Sequence, residues 1–210
     1  MITKTYLTLK YSAAWIALLL MSISYGNASS VLEVSLNEML QQSQLVFEGT
    51  VTAIEARENS QKRIHTYVTF EIKDIIKGKY ESDFITLSFL GGTVGDVTRA
   101  VSDMQFPEKG EQGIYFVESL ERTQVNPLYG WSQGHFIVER HVDGNARLMT
   151  NKRLPIAAVA DKVQSAQMTP DRQPMQRLSN GVVPDILVTH DKRSMMVDEF
   201  KRILRGRIEK

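Results

Sequence analysis

The chain has 210 residues, 42% hydrophobic and 23% charged, with a formal net charge of +1. That is ordinary globular composition, long enough to bury a core without cross-links. It holds no cysteine, which excludes disulfides, thiolate nucleophiles and zinc–thiolate sites.

Lys4 and Lys10 flank or precede a short apolar run, Ala13 to Met21, and Gly26-Asn27-Ala28 then supplies the small residues of a cleavage site. Residues 1–28 therefore read as a secretory signal peptide, with the mature protein exported to the periplasm or beyond. The competing reading is an uncleaved anchor, but the uncharged run from Tyr11 to Ser24 is short against the roughly 20 residues of a span. Charge divides unevenly after that. Residues 29–150 carry 11 Lys+Arg against 17 Asp+Glu, and residues 151–210 carry 12 against 7. An acidic body argues against nucleic acid as a partner, and a basic tail can meet an acidic partner, anionic lipid or the body itself.

Ser35-Leu36-Asn37-Glu38 is a capping box, predicting a short helix with Leu36, Met39 and Leu40 facing inward. Leu45 to Ile54 reads as a strand, and Gly49 inside it marks a bulge or sharp coil. In the next strand Ile64, Val68, Phe70 and Ile72 alternate with His65, Thr69, Glu71 and Lys73, giving one buried and one wet face up to about Ile76. Ile85, Leu87 and Phe89 alternate with Thr86 and Ser88 in a third, which Gly91-Gly92 ends. A fourth runs from Ile114 to Val117, and a fifth covers Phe136 to Val142 with Phe136, Val138 and Val142 on one side. Asp143-Gly144-Asn145 turns into a sixth near Ala146 to Met149. The architecture expected is mainly β, antiparallel, with five or six strands. Residues 29–155 make the domain, and residues 156–193, with Pro170, Pro174 and Pro184, read as a polar linker or wrapping segment. Residues 194–210 form a basic amphipathic helix: Met196, Val197, Phe200, Ile203 and Leu204 recur at helical spacing beside Lys201, Arg202 and Arg205. Docking on the domain is favoured over contact with a partner or a membrane surface.

Three stretches invite chemistry. Gly130-Trp131-Ser132-Gln133-Gly134 fits the G-x-S-x-G elbow of serine hydrolases, and the order Ser132, then Asp171 or Asp185, then His190 is permitted. An elbow needs a strand before the serine and a helix after it; here Pro127 precedes and a strand follows, so a hydrolase using Ser132 and His190 is the alternative. Gly91-Gly92-x-x-Gly95 lacks the Lys-Ser/Thr of a P-loop and the spacing of a dinucleotide fingerprint, so its glycines read as loop geometry. His135 and His141 share a strand parity but stand roughly 20 Å apart, too far for one ion, and no metal or cofactor is expected.

With the strands in place, "SQLVFEGTVTAIEA", "IHTYVTFEIKDIIKG" and "ITLSFLGG" resemble the netrin-like modules, which include the tissue inhibitors of metalloproteinases. A closer resemblance is to a set of exported bacterial domains of unassigned function. It runs through Ser43, Val46, Gly49 and Val51; Ile76-Lys77-Gly78; Gly91, Gly92 and Gly95; Phe106, Gly110 and Glu111; and Gly130, Gln133, Gly134 and Phe136. It covers about residues 35–150. It implies an OB-like five- to six-stranded barrel, architecture more than activity. The functional reading taken beside it is an exported non-catalytic module that binds a protein or peptide in the envelope or outside the cell, through the loops and face such a barrel presents. An exported protease or a cell-surface assembly is among the partners this reading names. The animal inhibitors reach a protease's zinc through an N-terminal cysteine, so that mechanism does not carry over to a cysteine-free chain. Contact residues are expected on loops, at Gly91, Gly92, Gly95, Trp131 and Gln133, with Trp131 serving equally well as a buried plug.

Overall fold

A computed structural model describes residues 34–142, 144–159, 186–188 and 194–209. The expected signal peptide and His190 lie outside the described residues. The first element, α1 (Leu36–Gln42), starts as its capping box predicts: Ser35 Oγ accepts the Glu38 N–H at 3.1 Å. Glu38 does not return the bond, and its carboxylate accepts the Tyr129 hydroxyl at 2.9 Å instead. Leu36, Met39 and Leu40 are buried. The helix stops at Ser43, where the Lys77 ammonium donates to the carbonyls of Leu40, Gln41 and Ser43. Those carbonyls have no partner within the helix, and a cation there also meets the negative end of its dipole.

Ten strands follow among the described residues: β1 (Leu45–Glu58), β2 (Ile64–Lys77), β3 (Phe84–Leu90), β4 (Gly92–Val94), β5 (Val97–Arg99), β6 (Gln112–Val117), β7 (His135–Arg140), β8 (Ala146–Thr150), β9 (Ile156–Val159) and β10 (Ile186–Val188). Helix α2 (Val197–Ile208) comes last. Six strands form one antiparallel sheet in the order β3-β2-β1-β6-β7-β8. Register shifts between β1 and β2 flank Gly49, and a Cβ there would meet the Glu71 carbonyl at 2.9 Å and the Phe47 ring at 2.8 Å. The bulge read from Gly49 is therefore present, and it coils β1 tightly onto β2.

Leu45, Val46 and Phe47 are all buried, as are Ile114 through Val117, so β1 and β6 carry apolar side chains on both faces. One face holds Val46, Ile114, Phe116, Phe136, Val138 and Leu148, and α1 and α2 cover it. The other gathers Phe47, Phe70 and Tyr115, with ring centroids 4.6–5.6 Å apart, over Val51, Val68, Ile85, Leu87 and Phe89. Helix α2 buries Val197, Phe200 and Leu204, as its spacing predicts. Its cations anchor it: Lys201 Nζ lies 2.7 Å from Glu48 Oε2 and 3.1 Å from Asp74 Oδ2, and Arg205 lies 2.7 Å from Asp74. Burial pulls the Lys201 ammonium down, but its bonds to Glu48 and Asp74 outweigh that and leave its pKa raised.

The sheet does not close into a barrel. The outer edge of β8 is used by other chain: Met149 bridges Pro155, Arg147 bridges Met196, and Leu148 N–H donates to Met195 at 2.9 Å. Three further departures from the sequence reading have local causes. β4 and β5 form a hairpin where a loop was expected, because Gly95 and Asp96 make a two-residue turn between Val94 and Val97. β9 and β10 pair within the stretch read as linker, and Ile156 and Ile186 join the helix-covered core. Val142 is fully exposed rather than inward, because β7 ends at Arg140 and the chain turns at His141.

Candidate functional site

The stretch around Ser132 is an interrupted strand. Leu128 bridges Val117, and Tyr129 N–H donates to Phe116 at 2.8 Å, so residues 127–129 extend the edge of β6 that β7 occupies lower down. Between them the chain leaves the sheet. Gly130 (φ 66°) and Trp131 (φ 59°) are left-handed, and Trp131–Gly134 make one 3-10 turn. Gln133 faces inward: its side-chain carbonyl accepts the Val34 N–H at 2.8 Å and ties the approach to α1. Gln133 is thus a buried strut, and Trp131 and Ser132 are half-buried. Ser132 sits inside this single 3-10 turn, and β7 begins right after it at His135, so no α-helix follows the serine as an elbow requires.

Gly92 and Gly95 belong to the β4–β5 hairpin, and Gly91 links it to β3. Gly92 has a positive φ and lies where any Cβ would strike the Thr66 hydroxyl, which itself donates to the Gly91 carbonyl at 2.8 Å. Backbone packing accounts for these glycines. His135, next to the interrupted strand, carries a buried polar cluster. Its Nε2 lies 2.8 Å from Glu111 Oε1, and both side chains are under a tenth exposed. Its ring stacks on Tyr115 at 4.9 Å. Burial, and then Glu111, push the Tyr115 phenol well above its ordinary pKa. Arg153 lies 3.9 Å from the same carboxylate and 3.2 Å from Glu108. Among the described residues, no group of three or more His, Cys, Asp or Glu side chains is arranged to share a metal ion. No helix among them is long and apolar enough to cross a membrane.

Among the described residues, the outer edge of β3 is left partly unpaired. Two bonds fix its parity: Ile72 N–H donates to Asp83, and Gly91 N–H donates to Ile64. These frame Glu71↔Phe84 and His65↔Leu90 as non-hydrogen-bonded pairs in the antiparallel ladder. Phe84, Thr86, Ser88 and Leu90 therefore turn their N–H and C=O groups away from β2. At the ends, Leu90 N–H donates to Val125 at 2.8 Å and Phe84 N–H to Ser82 Oγ at 3.2 Å. Between them the outward N–H and C=O of Thr86 and Ser88 have no partner among the described residues.

These groups open into a groove of about 230 Å³ lined by residues 85–88 of β3, by Tyr80 and Pro127 and, from another stretch of the chain, by residues 119–124 as its far wall. The far wall is shaped by its own bonds. Ser119 Oγ accepts the N–H groups of Glu121 and Arg122, and Gln44 Oε1 accepts that of Leu120 at 2.8 Å. Gln124 also lines this wall, and its side-chain Oε1 is buried and accepts no hydrogen bond among the described residues. β3 carries no charge and no proline, the usual devices that blunt an edge strand. Thr86, Ser88 and Gln124 were not among the residues expected from sequence. The only signal was the uncharged alternation of β3, and sequence does not reveal which strand is an edge. No protein-family model matches the chain, no curated protein matches it, and no solved structure does.

Proposed function

We propose that the chain is an exported, non-catalytic binding module that takes an extended peptide segment of a partner protein at the outer edge of β3. The carrying observation is the pair of unbonded outward residues, Thr86 and Ser88, in a groove whose far wall holds the unpartnered Gln124 carbonyl. An added strand gains main-chain hydrogen bonds from such an edge, while pockets for alternate side chains supply selectivity. Two residues offer four bonds. At about 0.5–1.5 kcal/mol net each, they contribute roughly 2–6 kcal/mol before the cost of association, which is modest affinity from backbone alone.

The N-terminal pattern of Lys4, the apolar run and Gly26-Asn27-Ala28 supports export. The order β3-β2-β1-β6 around an aromatic core supports an open, OB-like arrangement of the netrin-like kind, in which a peptide beside β3 extends the curved sheet. The test uses Thr86→Pro. Its N–H faces outward, so proline leaves the β2 ladder intact while removing one edge donor and crowding the groove. Peptides captured by the wild-type chain from a displayed library slow amide exchange at Thr86 and Ser88, and Thr86→Pro loses them while keeping its melting transition. Capture that survives Thr86→Pro, or protection elsewhere on the surface, refutes the proposal.

A further inference from the structure

We infer, resting on the strand-addition reading, that the groove selects a polar–apolar–polar alternation in its peptide. An apolar residue sits opposite Leu87, and small hydroxyl-bearing residues sit opposite Thr86 and Ser88. Residues opposite each other across a ladder share a face. Ile85 and Leu87 pair with Phe70 and Val68 and turn into the aromatic core. Tyr80, which packs against that core, also lines the groove. A ligand side chain opposite Leu87 therefore enters apolar surroundings, where a carboxylate or ammonium would shed water and find no counter-charge.

Thr86 and Ser88 turn to the opposite face. There Thr86 Oγ1 meets Thr69 Oγ1 at 2.9 Å, and Ser88 Oγ meets His65 Nδ1 at 3.0 Å. Ligand residues beside them extend a row of hydroxyls, a favourable cross-strand pairing. The far wall gives no net charge preference, since Glu121 and Arg122 are adjacent. It does give a hydrogen-bond preference: Gln124 Oε1 is a buried acceptor, and a donor on the ligand relieves the cost of leaving it unmade. The groove has two walls, so its occupant is a single narrow strand. The edge of a second sheet would bring neighbouring strands against residues 119–124.

The experiment titrates the ¹⁵N-labelled full chain with an acetylated, amidated peptide of sequence Ser-Thr-Thr-Val-Thr-Thr-Ser. The same peptide with the central valine replaced by aspartate, lysine or glycine is titrated alongside. The amide signals of Thr86 and Ser88 are followed. The valine peptide is expected to shift both signals to saturation, with the aspartate and lysine peptides at least tenfold weaker. Gln124→Leu, with Gln124→Ala as a second variant, is expected to weaken the valine peptide at least fivefold. Equal affinity for all four peptides, with both signals still shifting, overturns the selectivity and leaves strand addition standing. Failure of every peptide to move these signals overturns both. Unchanged affinity in both Gln124 variants removes Gln124 from the recognition.

Discussion

Replacing Lys201 by methionine tests how the C-terminal helix is held. The ammonium is 14% exposed and touches three carboxylates, Glu48 at 2.7 Å, Asp74 at 3.1 Å and the exposed Asp198 at 3.4 Å. Glu48 is the most deeply placed, at 8% side-chain exposure, and keeps only the Gln112 amide, at 2.5 Å, once the lysine is gone. Breaking a fully buried pair costs about 3–5 kcal/mol because a charge is stranded. Asp74 is partly exposed and retains Arg205, so it contributes little to the loss. Together these place Lys201→Met at about 2–4 kcal/mol. For a domain of this size that is a fall of roughly 4–16 °C in melting temperature. Urea unfolding of Lys201→Met, Glu48→Gln and the double variant measures it. Glu48→Gln keeps the shape and removes the charge, so the double variant is expected to recover at least 1 kcal/mol of the summed losses, within the usual range for coupled neighbours. A Lys201→Met loss below about 0.5 kcal/mol, the range of unremarkable surface changes, together with additive single effects, would show that the Lys201–Glu48 pair does not hold α2.

Three other outcomes follow from the geometry. Gln133→Leu strands the Val34 N–H, whose partner is the Gln133 carbonyl; a loss of about 1–3 kcal/mol in urea unfolding is expected, and a neutral effect would remove Gln133 as a strut. Tyr115 titrates well above 10.0 in the folded chain and near its ordinary value when unfolded. Above about pH 10 the native state holds a proton that the unfolded state has released, so stability is full below that pH and falls as pH rises. Tyr115→Phe should flatten this alkaline limb of the urea midpoint, and an unchanged slope would count against the buried phenol. Finally, a fluorophosphonate probe is expected to leave Ser132 unlabelled; labelling abolished by Ser132→Ala would replace the binding reading with the hydrolase alternative.

Much of the sheet was legible because one-sided burial writes period two into sequence. β3 alternates cleanly and β2 does so from Tyr67 to Lys73, although His65, read on the wet face, is buried beside Ile64 and Thr66; α2 shows its stripe because Val197, Phe200 and Leu204, with Ile203 partly buried beside them, face the core. Where both faces are buried, as at Leu45–Val46–Phe47 and Ile114–Val117, the alternation vanishes and only an apolar run remains. β9 and β10, four and three residues long, are too short to carry a period. The site was harder still. Gln133 reads as a loop residue, and nothing nearby announces that its partner is a backbone amide 99 positions away. The contact of His135 with Glu111 depends on β6 lying beside β7, and the open edge of β3 depends on the order of the whole sheet. Such features belong to pairing, which local pattern does not encode.

The two cores differ in how far along the chain their parts lie. The aromatic core is assembled by residues between Leu45 and Leu128, largely through adjacent hairpins. The helix-covered core runs from Val34 to Leu204, and its anchor joins Glu48 to Lys201 across 153 positions. Closing the longer loop carries the greater entropy cost, and non-local contacts form later. Refolding should therefore proceed in two stages: a curved sheet with β3 already in place, then capture of α2. A chain emerging from a membrane pore would meet the same order. Until residues 197–204 arrive, Val46, Phe116 and Phe136 stand open to any chaperone that recognises apolar surface.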